Sequence, residues 1–372
     1  MVAFPRSPPL HYFTLAIISL STLIYLYTVR DRLDFDWSSL NLNESNQVEE
    51  LPQFTSTNPT QNVTRPEEPK IHLVVAAMKE DDYTWTSKLN ISGMAVIPYI
   101  ADNPKAQHHP PKNKGHEAVM YLQYMYEFYD ALPEISVFSH AGETSWHIEG
   151  LLHNMTFILQ NLDFDEVKRR DYLNLRVYWA NFCPNWLHTS AKVYDSVKPE
   201  QRFMENAFKE IFPDVPVPET WSAPCCSQFA VTSKAIRSVP RQRYADWIQW
   251  LLDTRIDDAN SGRLWEHFWS YIFLNKPIEC PVEWKTYCQN YGICFDSKAS
   301  LDEWEALDTR VSRLRDAMAR YRNGNGQSTA AIQFRKQLDD FEGQLNVMME
   351  TALERGRTPG IRSYFDDELY EQ

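Results

Sequence analysis

Apolar and polar positions change rhythm along the chain and divide it into regimes. Leu10 to Val29 carries no Asp, Glu, Lys or Arg. At about 1.5 Å per residue, roughly 20 helical residues cross a hydrocarbon core of about 30 Å, so this run predicts a single-pass signal anchor. Tyr12, Tyr25 and Tyr27 suit its interfacial ends, and no small-x-small cleavage site precedes Arg30. Residues 1–9 then form a short cytosolic tail. Residues 30–70, rich in Ser, Thr, Asn, Pro and Glu, form a disordered stem.

From Ile71 the pattern becomes that of a packed α/β body, residues 71–298. Ile71–Ala77 is a short apolar run with β-branched residues and predicts a buried strand. Ala95–Ile100 predicts a second strand, and Pro98 suits an edge or a strand start. Glu117–Tyr129 predicts a buried aromatic helix, Ile135–Phe138 a strand, and Trp146–Leu162 a helix. Gln242–Asp253 and Arg263–Phe273 predict Trp-rich helices. Strands alternating with helices point to a sheet flanked by helices. In residues 299–356, apolar residues from Leu301 to Tyr321 and from Phe334 to Ala352 recur mainly at steps of three and four around Asn323–Gly326. That rhythm predicts a helical hairpin that packs or self-associates. Residues 357–372 read as an acidic, solvated tail.

Charge and composition narrow the function. With 37 Lys and Arg against 50 Asp and Glu, the net charge is −13, which argues against nonspecific nucleic-acid binding. No G-x-G-x-x-G or P-loop frame occurs among the 11 glycines. Sequons at Asn43, Asn62, Asn90 and Asn154 are candidate glycosylation sites, and six cysteines suit an oxidising compartment. Positive-inside counting leaves the orientation open, with Arg6 on one side and Arg30 and Arg32 on the other. Sequons, cysteines and stem together favour a lumenal body in the endoplasmic reticulum or Golgi. The six cysteines allow 15 disulfide connectivities.

Ligands of open α/β sheets bind beyond the carboxyl ends of strands, so those ends hold the candidate chemistry. The first strand runs into Lys79-Glu80-Asp81-Asp82, either nucleotide contacts or a capping loop. Ile135–Phe138 runs into a stretch holding His140, Glu143 and His147, the richest group of acid, base or metal-binding side chains. Their H-x-x-E-x-x-x-H spacing differs from the H-E-x-x-H zinc frame, which leaves zinc the weaker reading and helix capping the bland one. Asp34-Phe35-Asp36 and Asp163-Phe164-Asp165 are the D-x-D strings weighed for a diphosphate-bound metal; capping suits the second better.

Several motifs occur in order: Val74-Val75-Ala76 through Glu80-Asp81 and Trp85, Asn113-Lys114-Gly115-His116-Glu117-Ala118, Tyr129–Pro133, Val137–His140 and Trp146-His147. Leu173–Arg176, Cys183-Pro184, Cys225–Val231, Ser261-Gly262-Arg263 with Glu266 and Trp269, and Cys280-Pro281 with Cys288 and Cys294 follow. Over about Ile71 to Phe295 the chain resembles a fungal family, the domain of unknown function numbered three-four-three-one. Its layout is similar to GT-A nucleotide-sugar transferases. Many members carry an Arg after the strand-end His, where this chain has Gly142-Glu143.

The resulting expectation is a type II membrane glycosyltransferase-like enzyme using a nucleotide sugar with Mn2+. Glu80 and Asp81 would contact the nucleotide, and Asn113 and Glu117 would shape the donor site. His140 or Glu143 would act as base or metal ligand, His147 as a second metal ligand, and Glu266 would face the acceptor. The alternatives are a non-catalytic lumenal scaffold that associates through the hairpin and, more weakly, a zinc-dependent hydrolase using His140, Glu143 and His147.

Overall fold

The computed structural model describes residues 69–365 except 146, 149, 150, 152, 179–182 and 322–328. The expected anchor, the stem, Asn43, Asn62, Asp34-Phe35-Asp36, Trp146 and the end of the acidic tail lie outside the described residues. Among those described, no helix is long and apolar enough to cross a membrane.

The centre is a five-stranded mixed sheet of order β2-β1-β3-β7-β4, built from β1 (Ile71–Ala77), β2 (Met94–Ile100), β3 (Ile135–His140), β4 (Tyr172–Asn174) and β7 (Phe229–Thr232). A separate ribbon pairs β5 (Leu187–His188) with β6 (Thr220–Trp221). Strands β2, β1 and β3 run parallel, and β7 lies antiparallel between β3 and β4. β1 is buried at every position because both of its faces are covered. Leu73 and Val75 enter one core while Val74 and Ala76 enter the other, as the period of two requires. Pro98 sits on the outermost strand β2, where a missing N–H breaks no ladder bond toward a further strand.

The helices are α1 (Glu117–Glu127), α2 (Met155–Asn161), α3 (Phe164–Arg170), α4 (Met204–Ile211), α5 (Ser233–Ser238), α6 (Arg241–Asp253), α7 (Asp258–Leu274), α8 (Glu283–Tyr291), α9 (Lys298–Tyr321) and α10 (Thr329–Gly356). One core packs aromatic side chains of α1, α6 and α7 on the sheet, with Tyr121, Phe138, Phe229, Trp265 and Trp269 in a single cluster. The other joins the opposite face to Tyr287, Tyr291 and the hairpin residues Trp304, Val311, Leu345 and Ala352. The hairpin α9–α10 therefore shares the core of the body. Its end is tied down by Arg355 Nη1–H to Cys294 O at 2.9 Å, and the backbones of Gly356 and Gly292 approach too closely for a Cβ at Gly356.

Two sequence expectations change. The helix expected over Trp146–Leu162 is confined to α2, because Asn154 caps it by accepting from Phe157 N–H at 2.9 Å. The described residues before it, His147, Ile148, Leu151 and His153, are not helical, and a bridge pairs Thr144 with Asn154. The helix expected from Arg263 starts earlier, at Asp258, where Asp257 caps it. Asp163 caps α3 through the N–H groups of Asp165 and Glu166, which accounts for that D-x-D string. The cysteines pair as Cys183–Cys280, Cys225–Cys226 and Cys288–Cys294.

Candidate functional site

The three parallel strands end on one edge, and His140 is the last residue of β3 there. Because β7 is antiparallel to β3, the segment entering β7 reaches the same edge. Gln228 connects the two: its Oε1 accepts from His140 N–H at 3.3 Å, and its Nε2–H donates to His147 O at 2.9 Å. The loop after β1 lies nearby. Asn113 Nδ2 donates to Met78 Sδ at 3.6 Å, and Lys79 N–H donates to Asp102 Oδ1 at 2.7 Å. Trp85 Nε1–H reaches Ala141 O at 2.6 Å and ties this loop to the end of β3.

Helix α1 begins at Glu117 on this edge, and its start is fixed against α7. Gly115 adopts φ +78°, donates its N–H to Asp258 Oδ1 at 2.6 Å, and leaves no room for a Cβ beside Leu251. His116 packs on Gly262 of α7, where an added Cβ would stand 2.7 Å from His116 Cδ2. This docking explains why Asn113–Ala118 and Ser261–Glu266, far apart in sequence, belong to one place.

Glu117 Oε2 comes within 3.8 Å of His140 Nε2, a buried nitrogen with no hydrogen-bond partner among the described residues. Burial holds the His140 imidazole below its ordinary range; Glu117 opposes this and His116 adds to it. Burial, then His140 and Arg176, bring His147 down to about 3. Both imidazoles are therefore neutral at neutral pH. Glu266 of α7 completes the group, with its Oε2 accepting from Cys226 N–H at 3.0 Å. Burial, followed by the charge of Glu117, pushes its carboxyl up to about 8; Glu200 adds to the rise while the Cys226 amide and Arg263 oppose it. Beside it, Glu200 takes His267 Nε2 at 3.4 Å and Arg263 Nη1 at 3.7 Å. Tyr121, fully buried on α1, carries a hydroxyl with no partner among the described residues and feels the charge of Glu117.

Of the residues singled out from sequence, Glu117, His140 and Glu266 thus come together. His147 stacks edge-on beside His140, with ring centroids 5.4 Å apart, and its Nδ1 meets Ser145 Oγ at 2.9 Å. Glu143 is turned toward α2, where its Oε1 accepts from Thr156 Oγ1 at 2.7 Å. Glu80 and Asp81 are exposed on the loop after β1; Asp81 Oδ2 is taken by Met78 N–H at 2.7 Å, and Asp82 accepts from Thr84 N–H. Among the described residues no three His, Cys, Asp or Glu side chains converge to hold a metal ion. The His140, Glu143 and His147 set is divided, since Glu143 is turned to Thr156 while His140 and His147 stay side by side. Asn90 is exposed, whereas Asn154 is half-buried as a helix cap.

Cys225, Cys226 and Gln228 stand in a sequence motif that carries no assigned role, and Tyr121 stands in the aromatic helix with none either. Arg176, whose guanidinium bonds Ile148 O and Tyr178 O, was part of a motif without a role.

A family model described as "Protein of unknown function (DUF3431)" matches residues 73–289. No curated protein and no solved structure matches the chain.

Proposed function

The chain belongs to the DUF3431 family, and from the Glu117–His140–Glu266 group we propose a glycosyltransferase-like enzyme that takes a nucleotide-sugar donor. The observation that carries this reading is Glu266, a carboxyl pushed up to about 8 by burial and by Glu117, whose His140 neighbour ends a parallel strand. A carboxylate of that basicity is suited to take a proton from a sugar hydroxyl near neutral pH. In the transfer, the acceptor oxygen attacks the anomeric carbon and its proton passes to Glu266. The anomeric C–O bond to the diphosphate breaks, and the nucleoside diphosphate leaves. Glu117 and the unpartnered His140 Nε2 would hold hydroxyls of the donor sugar, while Glu80, Asp81 and Asn113 line the approach for the nucleotide. No step runs through a protein-held metal; manganese belongs to this proposal as a companion of the donor diphosphate.

The strand order supports the analogy with GT-A transferases, since three parallel strands followed by antiparallel β7 gather the site loops on one edge. The anchor over Leu10–Val29 gives the type II, lumenal placement in endoplasmic reticulum or Golgi within the same proposal. A non-catalytic scaffold is the competing reading, favoured by Ile332 and Val347, apolar residues left exposed on α10.

Thermal unfolding of the full chain against a nucleotide-sugar panel, with manganese and with chelator, tests the proposal. A donor at 100 times its dissociation constant stabilises the fold by about 2.7 kcal/mol. Transfer of label from that donor should fall at least about 100-fold in Glu266→Gln, the order expected for lost acid–base work, and should weaken in His140→Ala through the lost contact to the donor sugar. A folded protein that responds to no nucleotide refutes the reading.

A further inference from the structure

We propose that the Cys225–Cys226 disulfide is a positioning element for Glu266, holding the backbone amide that orients its carboxylate. This builds on the reading of Glu266 as the base but concerns its placement rather than the reaction.

Adjacent cysteines joined to each other close a small ring that includes the peptide bond between them. Cys226 adopts φ 86° and Ser227 φ 48°, a region that non-glycine residues avoid. Two such residues in succession persist only where their surroundings over-determine them. Here the ring fixes the first. Trp269 Nε1–H to Ser227 Oγ at 3.1 Å and Asn174 Nδ2–H to Pro224 O at 2.9 Å hold the flanks. The outcome is that Cys226 N–H points at Glu266 Oε2. It is the one hydrogen bond that Glu266 receives among the described residues. The same short loop continues into Gln228, which holds His140 and His147, so one covalent ring sits where the two halves of the site meet.

The groups that act on Glu266 come from three elements. Glu117 of α1 and Glu200 of the 3-10 turn Pro199–Phe203 push its carboxyl up, and Arg263 of α7 pulls it down with the Cys226 amide. His140, held neutral by burial, contributes no charge at neutral pH. Without the ring, Cys226 relaxes toward negative φ and its N–H turns from the carboxylate. A hydrogen bond that favours the charged form is then lost, and Glu266 titrates higher.

The test measures unfolding stability from pH 5 to 10 in four proteins: the wild type, E266Q, C225A/C226A and C225A/C226A/E266Q. Subtracting each E266Q partner leaves the titration that depends on Glu266, its proton sharing with Glu117 included. The expected result is a midpoint about one pH unit higher in the ring-less background, the size of one lost charge-assisted bond. An unchanged midpoint in a folded C225A/C226A protein overturns the proposal. Should circular dichroism show that this pair does not fold, C225A/C226G replaces it, since glycine accepts φ 86° without the ring. A smaller upward movement is then expected, and an unchanged midpoint again overturns the proposal. Free thiols at both positions in the native protein, by peptide mapping, would overturn it outright. Because the readout is unfolding, a failed nucleotide-sugar panel leaves this result standing.

Discussion

Replacing Glu266 by glutamine should make the protein more stable in alkali. An ordinary glutamate titrates near 4.5, and burial beside Glu117 pushes Glu266 up to about 8 in the folded protein. A carboxyl raised by folding is one whose native state keeps a proton that the unfolded chain has already released. Stability therefore declines as pH climbs from 4.5 and levels off above the folded value. At about 1.36 kcal/mol per pH unit, that span corresponds to at most about 5 kcal/mol, and sharing of the proton with Glu117 reduces it. The glutamine keeps an acceptor for Cys226 N–H at 3.0 Å and carries no titrating proton. His140 and His147, lowered by burial, act on the acid side instead, where unfolding is favoured by their protonation. The assay is urea unfolding of wild type and E266Q across pH 5 to 9. The difference should favour E266Q progressively toward pH 9 by a few kcal/mol. A difference that stays flat across that range would refute the claim that Glu266 is buried against another carboxylate.

Two further substitutions probe the framework. Gly262→Ala places a methyl 2.7 Å from His116 Cδ2, and should cost about 1–3 kcal/mol by urea unfolding because the start of α1 must move; a cost under about 0.5 kcal/mol contradicts the close approach. Trp304→Ala empties a position in the core shared by hairpin and sheet, and should cost about 3–5 kcal/mol in a single transition followed by both circular dichroism and fluorescence. Separate transitions would mean that the hairpin folds by itself.

The sequence was most legible where one physical rule acted alone. The apolar run of Ile71–Ala77, broken only by His72, read as a buried strand, and Pro98 in the next one suited an edge or a strand start. The hairpin followed from spacing because its helices are long and amphipathic. Short strands were opaque: Tyr172–Asn174 and Phe229–Thr232 carry too few residues to show a period, and their pairing is set by partners far along the chain. At the candidate site, His140 and Glu117 were readable as strand-end and helix-start residues. Their company was not. Glu266 earned its neighbours through the packing of His116 on Gly262, a contact between segments that sequence spacing does not register. Glu143, equally prominent in sequence, faces Thr156 instead because Asn154 begins a helix in that place.

The insertion of β7 between β3 and β4 bears on how the chain folds as it is made. Strands β2, β1 and β3 are complete once His140 has emerged, and they are parallel neighbours. The other edge of β3 then waits for Phe229–Thr232, and β4 has no partner in the sheet until the same four residues arrive. During that interval a hydrophobic edge is open to wrong partners, the condition under which growing chains aggregate. Closure of this non-local pair is consequently a slow, late event with a long loop to bring in. Since Cys226 and Gln228 travel with β7, the candidate site is assembled by that same step. Half-made chains would hold three paired strands and a candidate site still lacking Cys226, Gln228 and Glu266.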